Sequence, residues 1–142
     1  GTVMLACPDA CPADAIYDFL QELAEYENLA EHVKVTQKDL EQDGFSNNPL
    51  FHGIIAEVPE QHKTKEGHTK IGYALYFYSY SSWSGRAIYM EDLYVMPEFR
   101  GTVQDVGKAL MSKVAQVRET LFVSKKYKTV CEGEALKHLA QL

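Results

Sequence analysis

Two extended segments joined by a short turn constrain the fold more than any other feature of this 142-residue chain. The segment Lys70–Tyr80, KIGYALYFYSY, is rich in aromatic and β-branched residues, which favour an extended backbone. The turn Ser81–Gly85, SSWSG, leads directly into a second segment, Arg86–Met96. Because the turn is short, the sequence predicts that the two segments pair as an antiparallel hairpin.

Helical spacing dominates the region before this hairpin. From Pro12, the apolar residues Ile16, Phe19, Leu20 and Leu23 recur at the spacing of one helix face, which predicts an amphipathic helix. A shorter helix is expected from about Thr36 to Gly44, because Thr36 and Asp39 have the spacing of a capping box. The apolar run Phe51–Val58, which ends at Pro59, predicts a strand.

After the hairpin, apolar residues at helical spacing predict a helix from Val106 to about Phe122. A short strand at Val3–Leu5 and a helical tail at Glu132–Leu142 are further expectations. The length suits one domain covering residues 1–142. The order of elements predicts an α/β (α+β) class with a mixed sheet and flanking helices.

Composition excludes several classes of protein. With 46% hydrophobic and 24% charged residues, the chain is neither disordered nor fibrous. No apolar run is long enough to cross a bilayer, and the N-terminal residues lack a signal-peptide pattern, so a cytoplasmic protein without a membrane partner is expected. Cys7, Cys11 and Cys131 suggest neither a disulfide framework nor a metal site, and reduced thiols are expected.

The charges are distributed unevenly. A net charge of −6 argues against nucleic acid as a partner. Residues 14–43 hold nine acidic side chains against two lysines, whereas residues 100–142 hold eight basic against four acidic side chains. The acidic region could concentrate a small cation, or it could be an ordinary solvated helix face.

The end of the second hairpin strand is a candidate anion site. The chain leaves the strand at Pro97 and enters a helix near Val106, and the unpaired N–H groups of a helix N-terminus suit a pyrophosphate. Arg100 and Gly101, just before that helix, would add a cation and a close backbone approach. An ordinary connection between strand and helix is the alternative.

An adjacent pair of carboxylates lies within the same strand. Successive side chains of a strand leave opposite faces, so one of Glu91 and Asp92 should face a cleft or an edge. Desolvation there would raise its pKa and make it a better proton acceptor. A solvent-facing carboxylate on a half-exposed strand is the alternative.

Several ordered motifs give the chain a resemblance to a known family, over about residues 3–118. The chain resembles the spermidine/spermine acetyltransferases, including the thialysine-acetylating branch, of the GNAT superfamily. The matching pieces are AEYE (24–27), DGF (43–45), NPLFH (48–52), AEVP (56–59), the aromatic run 76–80 and YMEDLYVMPEFRG (89–101). The resemblance implies a GNAT-like, mostly antiparallel sheet.

The same resemblance implies transfer of an acetyl group from acetyl-CoA to a primary amine of a polyamine or a thialysine-like molecule, by a homodimeric enzyme. Glu91 matches the catalytic carboxylate that accepts the amine proton. The positions that match substrate-binding residues are Tyr26, Glu27, Glu91 and Asp92. Those that match cofactor-binding residues are Leu93, Tyr94, Val95, Arg100, Gly101, Gly107 and Lys108.

The chain departs from the family in the loop after the strand. The family sequence RGxGxG becomes RGTVQDVG, with two extra residues and no glycine between Gly101 and Gly107. Val103 and Val106 resist tight backbone turns, and Asp105 puts negative charge where the pyrophosphate should lie. Weakened affinity for acetyl-CoA is therefore expected.

The second departure lies nearer the C-terminus, where the family has a further strand, a helix with a general-acid tyrosine and two closing strands. These do not match here, the C-terminal strands are expected to be incomplete, and Tyr127 lies outside the family's tyrosine motif. The segment SKKYKTVC (124–131) could pair as a substitute strand, or a dimer could cover the edge. A catalytically silent homologue that dimerises or binds polyamines is thus the alternative function.

Overall fold

The computed structural model describes residues 4–6, 13–26, 28–100, 105–116 and 121–123, with backbone alone at the first and last of these ranges. Its main elements, in chain order, are β1 (Met4–Ala6), α1 (Ala13–Tyr26), α2 (Gln37–Gly44), β2 (His52–Glu57), β3 (Lys70–Ser81), β4 (Gly85–Val95), α3 (Val106–Ala115) and β5 (Leu121–Val123). The predicted hairpin is confirmed as β3 and β4.

The strands form one five-stranded sheet in the order β1-β2-β3-β4-β5. Neighbouring strands are antiparallel from β1 to β4, and β5 alone runs parallel to its neighbour β4. The sheet is therefore mixed and mostly antiparallel, which confirms the predicted fold class.

Local sequence signals set the ends of α2. The Thr36 hydroxyl accepts a hydrogen bond from the Asp39 backbone N–H at 3.1 Å, and the Asp39 carboxylate accepts one from the Thr36 N–H at 3.0 Å. This reciprocal capping box satisfies two backbone donors that a helix N-terminus leaves unpaired. The predicted cap and the predicted end at Gly44 are both confirmed.

The predicted strand boundaries lie within one residue of the observed ones, whereas the predicted end of α3 does not. The prediction of a helix reaching Phe122 was wrong: α3 ends at Ala115, and Leu121–Val123 pair with Ile88–Met90 as a strand. A short apolar run fits either a buried strand or a helix face. Here, pairing with β4 makes the run a strand. The first strand lies one residue later than predicted. The expectations for residues 124–142 and for the three cysteines lie outside the described residues.

Helices α1 and α3 pack on opposite faces of the sheet. The Phe19 ring of α1 stacks on Tyr73 with centroids 5.6 Å apart, whereas a β-carbon added at Gly72 would lie 3.5 Å from Leu110 of α3. Since Gly72 and Tyr73 are successive residues of β3, their side-chain directions are opposite. The hairpin thus forms the centre of a core between two helices.

Tyr94 connects β4 to α1 through both apolar and polar contacts. Its ring centroid lies 5.8 Å from that of Phe19, and it is buried. Burial raises the pKa of the Tyr94 phenol well above its ordinary value, and the charge and hydrogen bonding of Glu22 raise it further. The phenol is therefore held neutral beside a carboxylate of α1.

Gly72 is required where β3 passes close to β4. A β-carbon at this position would lie 2.6 Å from the carbonyl oxygen of Tyr94, a backbone atom that cannot rotate away. Gly72→Ala should therefore lower the free energy of unfolding by about 1–3 kcal/mol, measured by urea denaturation. Gly53→Ala is the matched control, because its β-carbon would lie 3.3 Å from the end of the Ile16 side chain and at an ordinary 3.8 Å from the backbone oxygen of Ala74. Equal losses in the two variants would contradict this account.

The raised pKa of Tyr94 makes stability depend on alkaline pH. A phenol whose pKa is raised by folding stabilises the folded state fully below the unfolded value of 10.0, and that contribution is lost as the pH rises above it. The stability advantage of the wild type over Tyr94→Phe should therefore stay constant between about pH 8 and about pH 9 and shrink as the pH rises from about 10 to about 12. Denaturant unfolding at several pH values measures it, and the other eight tyrosines are common to both proteins. A constant difference would contradict the prediction.

Candidate active site

A β-bulge in β4 places one carboxylate out of register with β3. Asp92 pairs with Leu75 and Met90 pairs with Tyr76, so Glu91 is an extra residue that β4 inserts between these two pairs. Such a bulge bends the strand and redirects the side chain. The prediction that Glu91 and Asp92 leave opposite faces assumed a regular strand, and the bulge removes that assumption.

The two carboxylates have different surroundings. Asp92 is 5% exposed and lies two residues before Tyr94, so it belongs to the sheet face that α1 covers. Glu91 is half-buried. Both side chains interact with other groups of the chain. Glu91 is thus the more accessible of the two candidate proton acceptors, and Asp92 is a buried carboxyl group within the sheet.

Among the residues that the structure describes, the second half of β4 has an open edge. Strand β5 pairs only with Ile88–Met90, so within the described part of the chain Glu91–Val95 have no strand neighbour on that side. The Met96 N–H donates to the Ile71 carbonyl at 2.8 Å, which turns the Met96 backbone towards β3. Alternation then turns the backbone groups of Val95 and Leu93 to the open edge, and those of Tyr94 to β3. Leu93 and Val95, but not Tyr94, can pair with an added extended ligand through their backbone.

Arg100 folds back onto this edge. Its Nε donates a 2.7 Å hydrogen bond to the Val95 carbonyl. Its guanidinium carbon lies 4.7 Å from the centroid of the Tyr26 ring and 5.3 Å from that of Tyr94. The structure therefore brings together four predicted site residues from three places, namely the end of α1 (Tyr26), β4 (Tyr94 and Val95) and the loop after it (Arg100). Gly101 lies outside the described residues.

The N-terminus of α3 carries its own anion. Asp105 is the N-cap residue, with a left-handed backbone at φ 33°, and its carboxylate accepts a hydrogen bond from the Lys108 N–H at 3.1 Å. Gly107 is buried and Lys108 is half-buried in this first turn. A carboxylate therefore occupies a backbone donor that would otherwise be open to a phosphate. That a pyrophosphate would lie at this helix end stays a prediction.

Tyr26 is the last residue of α1, and its side chain is 48% exposed. Glu27, predicted beside it as a substrate residue, lies outside the described residues. Glu91 lies four residues before Val95 on β4, about 13 Å along a regular strand. Glu91 therefore lies at one end of this strand edge. Arg100, with Tyr26 and Tyr94, lies at the other end.

Glu22 is a functional candidate that the sequence reasoning missed. It lies against the Tyr94 phenol, four residues before Tyr26 on α1. Residues four apart share a helix face, so this spacing was the available signal. Glu22 also lines a cleft of about 400 Å³ whose other lining residues are Asp14, Ala15, Asp18, Phe19, Gln21, His68, Lys70 and Met96.

Three acidic residues of α1 line this cleft at four-residue spacing, namely Asp14, Asp18 and Glu22. Two basic residues also line the cleft, namely His68 in the loop before β3 and Lys70 at the start of β3. The acidic region recognised in the sequence is therefore gathered, in part, along one face of a helix. Among the residues that the structure describes, no group of three potential ligands could hold a metal ion, and no helix has the length and apolar character needed to span a membrane.

The chain is similar in sequence to N-acetyltransferases over most of its length. It is 45% identical over 102 residues to thialysine N-epsilon-acetyltransferase of Sus scrofa, a match covering 72% of this chain and 59% of that protein. It is 37% identical over 110 residues to spermidine/spermine N(1)-acetyltransferase-like protein 1 of Homo sapiens, covering 78% of this chain and 15% of that protein. The chain thus spans less than two thirds of the length of these relatives. No family model matches the sequence.

Solved structures share the fold at low sequence identity. A ribosomal-protein-alanine N-acetyltransferase from Brucella melitensis matches with a TM-score of 0.61 at 18% identity, covering 100% of this chain and 91% of that one. An aminoglycoside acetyltransferase from a soil metagenomic sample, in complex with sisomicin, matches with a TM-score of 0.62 at 16% identity, covering 99% of this chain and 85% of that one. With the sequence relatives, the fold shows that the chain belongs to the spermidine/spermine and thialysine N-acetyltransferase family of the GNAT superfamily.

Proposed function

We propose that the protein transfers the acetyl group of acetyl-CoA to a primary amine of a polyamine or of a thialysine-like small molecule. The observation that carries this proposal is the bulged carboxylate Glu91 at the start of an open strand edge. The edge offers backbone groups to an extended ligand, and the carboxylate can accept a proton beside it. The names of the sequence relatives support the choice of amine.

Acetyl-CoA supplies an activated acetyl thioester, and the chain's residues fit it in part. Leu93 and Val95 present backbone groups at the open edge, where an extended pantetheine arm can pair as a strand does. An edge N–H that donates to the thioester carbonyl would stabilise the negative charge that develops there. The α3 N-terminus fits less well, because Asp105 already occupies one of its donors.

Glu91 acts on the amine. A primary ammonium has an ordinary pKa of about 10.4, so it must lose a proton before its lone pair can attack. Glu91 accepts that proton, directly or through a water molecule. The amine nitrogen then attacks the thioester carbon to form the amide bond, and the carbon–sulfur bond breaks. The nitrogen loses its second proton in this step, and the departing thiolate takes up that proton.

Acidic side chains attract the cationic substrate. Asp92, together with the acidic cleft along α1, gives this face of the protein a negative potential, which raises the local concentration of a polycation. Tyr26 and Glu27 complete the proposed amine channel. A homodimer in the cytoplasm remains part of the proposal.

A silent homologue that binds polyamines without turnover is the second candidate. The observation in its favour is the Asp105 carboxylate at the N-terminus of α3, which opposes a pyrophosphate. Titration calorimetry with acetyl-CoA and then with spermidine separates the two candidates. Spermidine binding without acetyl-CoA binding would favour the silent homologue.

Glu91→Gln tests the proposed proton acceptor. The amide keeps the shape of the side chain but cannot accept the ammonium proton, so kcat should fall by about 10²–10⁴-fold, while acetyl-CoA binding is retained. Release of CoA thiol with a panel of amines measures the rate. The exposed Glu98, replaced by Gln, is the matched control. An unchanged rate in Glu91→Gln would show that the assignment is wrong.

Asp105→Asn tests the effect of charge at the α3 N-terminus. Asparagine caps a helix as well as aspartate and tolerates a left-handed backbone, so the variant removes the charge and keeps the cap. Its dissociation constant for acetyl-CoA should be lower than that of the wild type by roughly three- to tenfold, the effect of one charge near a helix end. Asp43→Asn, an exposed change on α2, is the control. Ordinary micromolar binding by the wild type, or no gain in Asp105→Asn, would contradict the prediction.

A further inference from the structure

We propose that Arg100 is a positioning residue that ties the open edge of β4 to the end of α1, and thereby holds Tyr26 in place for the amine. This inference rests on the proposed function. By the resemblance to the family, Arg100 matches the first residue of the loop that binds pyrophosphate. The geometry assigns it a second task, carried out by the side chain itself within the site.

The contacts of Arg100 connect three parts of the chain. Its Nε is bonded to the Val95 carbonyl, which alternation along β4 turns towards the open edge. Its guanidinium carbon is 4.7 Å from the Tyr26 ring centroid and 5.3 Å from the Tyr94 ring centroid. One side chain therefore touches the proposed cofactor edge and the proposed amine channel.

The two tyrosines differ in how firmly the rest of the fold holds them. Tyr94 is buried, packs on Phe19 and lies against Glu22. Tyr26 is the last residue of α1 and is about half exposed, so the core fixes it much less. Arg100 lies near both rings. Since the core holds Tyr94 in place, contact with the same guanidinium restricts the movement of the Tyr26 ring.

Arginine suits this role better than lysine. Its planar guanidinium can stack on aromatic rings while its Nε donates in the plane, whereas an ammonium has no such planar group. The buried Nη2 atom has no hydrogen-bond partner within the described part of the chain. The contacts of Arg100 there are therefore a backbone hydrogen bond through Nε and ring contacts through the guanidinium. Glu22, Glu25 and Arg100 all act electrostatically on Tyr94, so charges of both signs lie around this ring.

A donor without phosphates separates the positioning role from pyrophosphate binding. S-acetylpantetheine carries the acetyl thioester but lacks the nucleotide and every phosphate. Arg100→Lys keeps the positive charge but loses the planar stack and the Nε bond. If Arg100 positions Tyr26, then KM for the amine should rise by about five- to tenfold with either donor, the size expected for one cation–π contact. A loss seen with acetyl-CoA alone would overturn the proposal.

A double-mutant cycle with Tyr26→Leu gives the second readout. Once Tyr26 is absent, Arg100→Lys should cause little further increase in KM for the amine, because both changes break the same contact. Independent, additive increases would overturn the proposal. Arg86→Lys, at the exposed start of β4, is the matched control and should leave KM unchanged.

The stability of the folded protein supplies a test that does not need turnover. If the wild type acetylates no amine from either donor, the proposed function fails, and the contact itself is then judged by urea unfolding of the four proteins in the same cycle. Non-additive losses in Arg100→Lys and Tyr26→Leu would support the tie between Val95 and Tyr26. Additive losses would overturn it whatever the activity.

Discussion

The pairing register between β3 and β4 is the constraint on which the rest of the site depends. Ten pairs of residues connect the two strands, and the ladder shifts by one residue at Leu75 and Tyr76. That shift leaves Glu91 as an extra residue, and it places Asp92 and Tyr94 on the face that α1 covers. Had the ladder continued without a bulge, every side chain after Met90 would point to the opposite face.

The open edge of β4 follows from a second pairing. In the part of the chain that the structure describes, strand β5 pairs with Ile88–Met90 and does not reach past the bulge. Among these residues the backbone from Leu93 to Val95 is therefore open on the β5 side, and Arg100 donates a hydrogen bond to the Val95 carbonyl there. The proposed donor edge, the bulged carboxylate and the arginine thus lie along one short length of β4. The parallel strand β5 determines where the open edge of β4 begins. The antiparallel strand β3 pairs with the opposite side of β4.

Carboxylates lie in two regions of the site, the cleft along α1 and the N-terminus of α3, and they have opposite consequences for the two proposed ligands. Carboxylates of α1 line the cleft and Asp92 lies beneath the same helix, which favours a cationic substrate. At α3, a carboxylate again occupies the helix end, where the proposed donor would bring phosphates. Under the proposed function, the charge at the cleft favours a cationic amine, whereas the charge at the α3 N-terminus opposes the phosphates of acetyl-CoA. The relative size of these two effects is what distinguishes the proposed enzyme from the silent homologue.

The sequence by itself determined the hairpin, the two N-terminal helices, the capping box and the family, because these depend on local patterns and ordered motifs. It also placed Glu91, Arg100 and Asp105 in one stretch of chain. Only the tertiary structure decided that Glu91 is the bulged residue, that residues 121–123 form a strand, and that Arg100 lies against Tyr26. Each of these depends on pairing between segments far apart in the chain, where many registers fit the same local pattern and the packed core selects one.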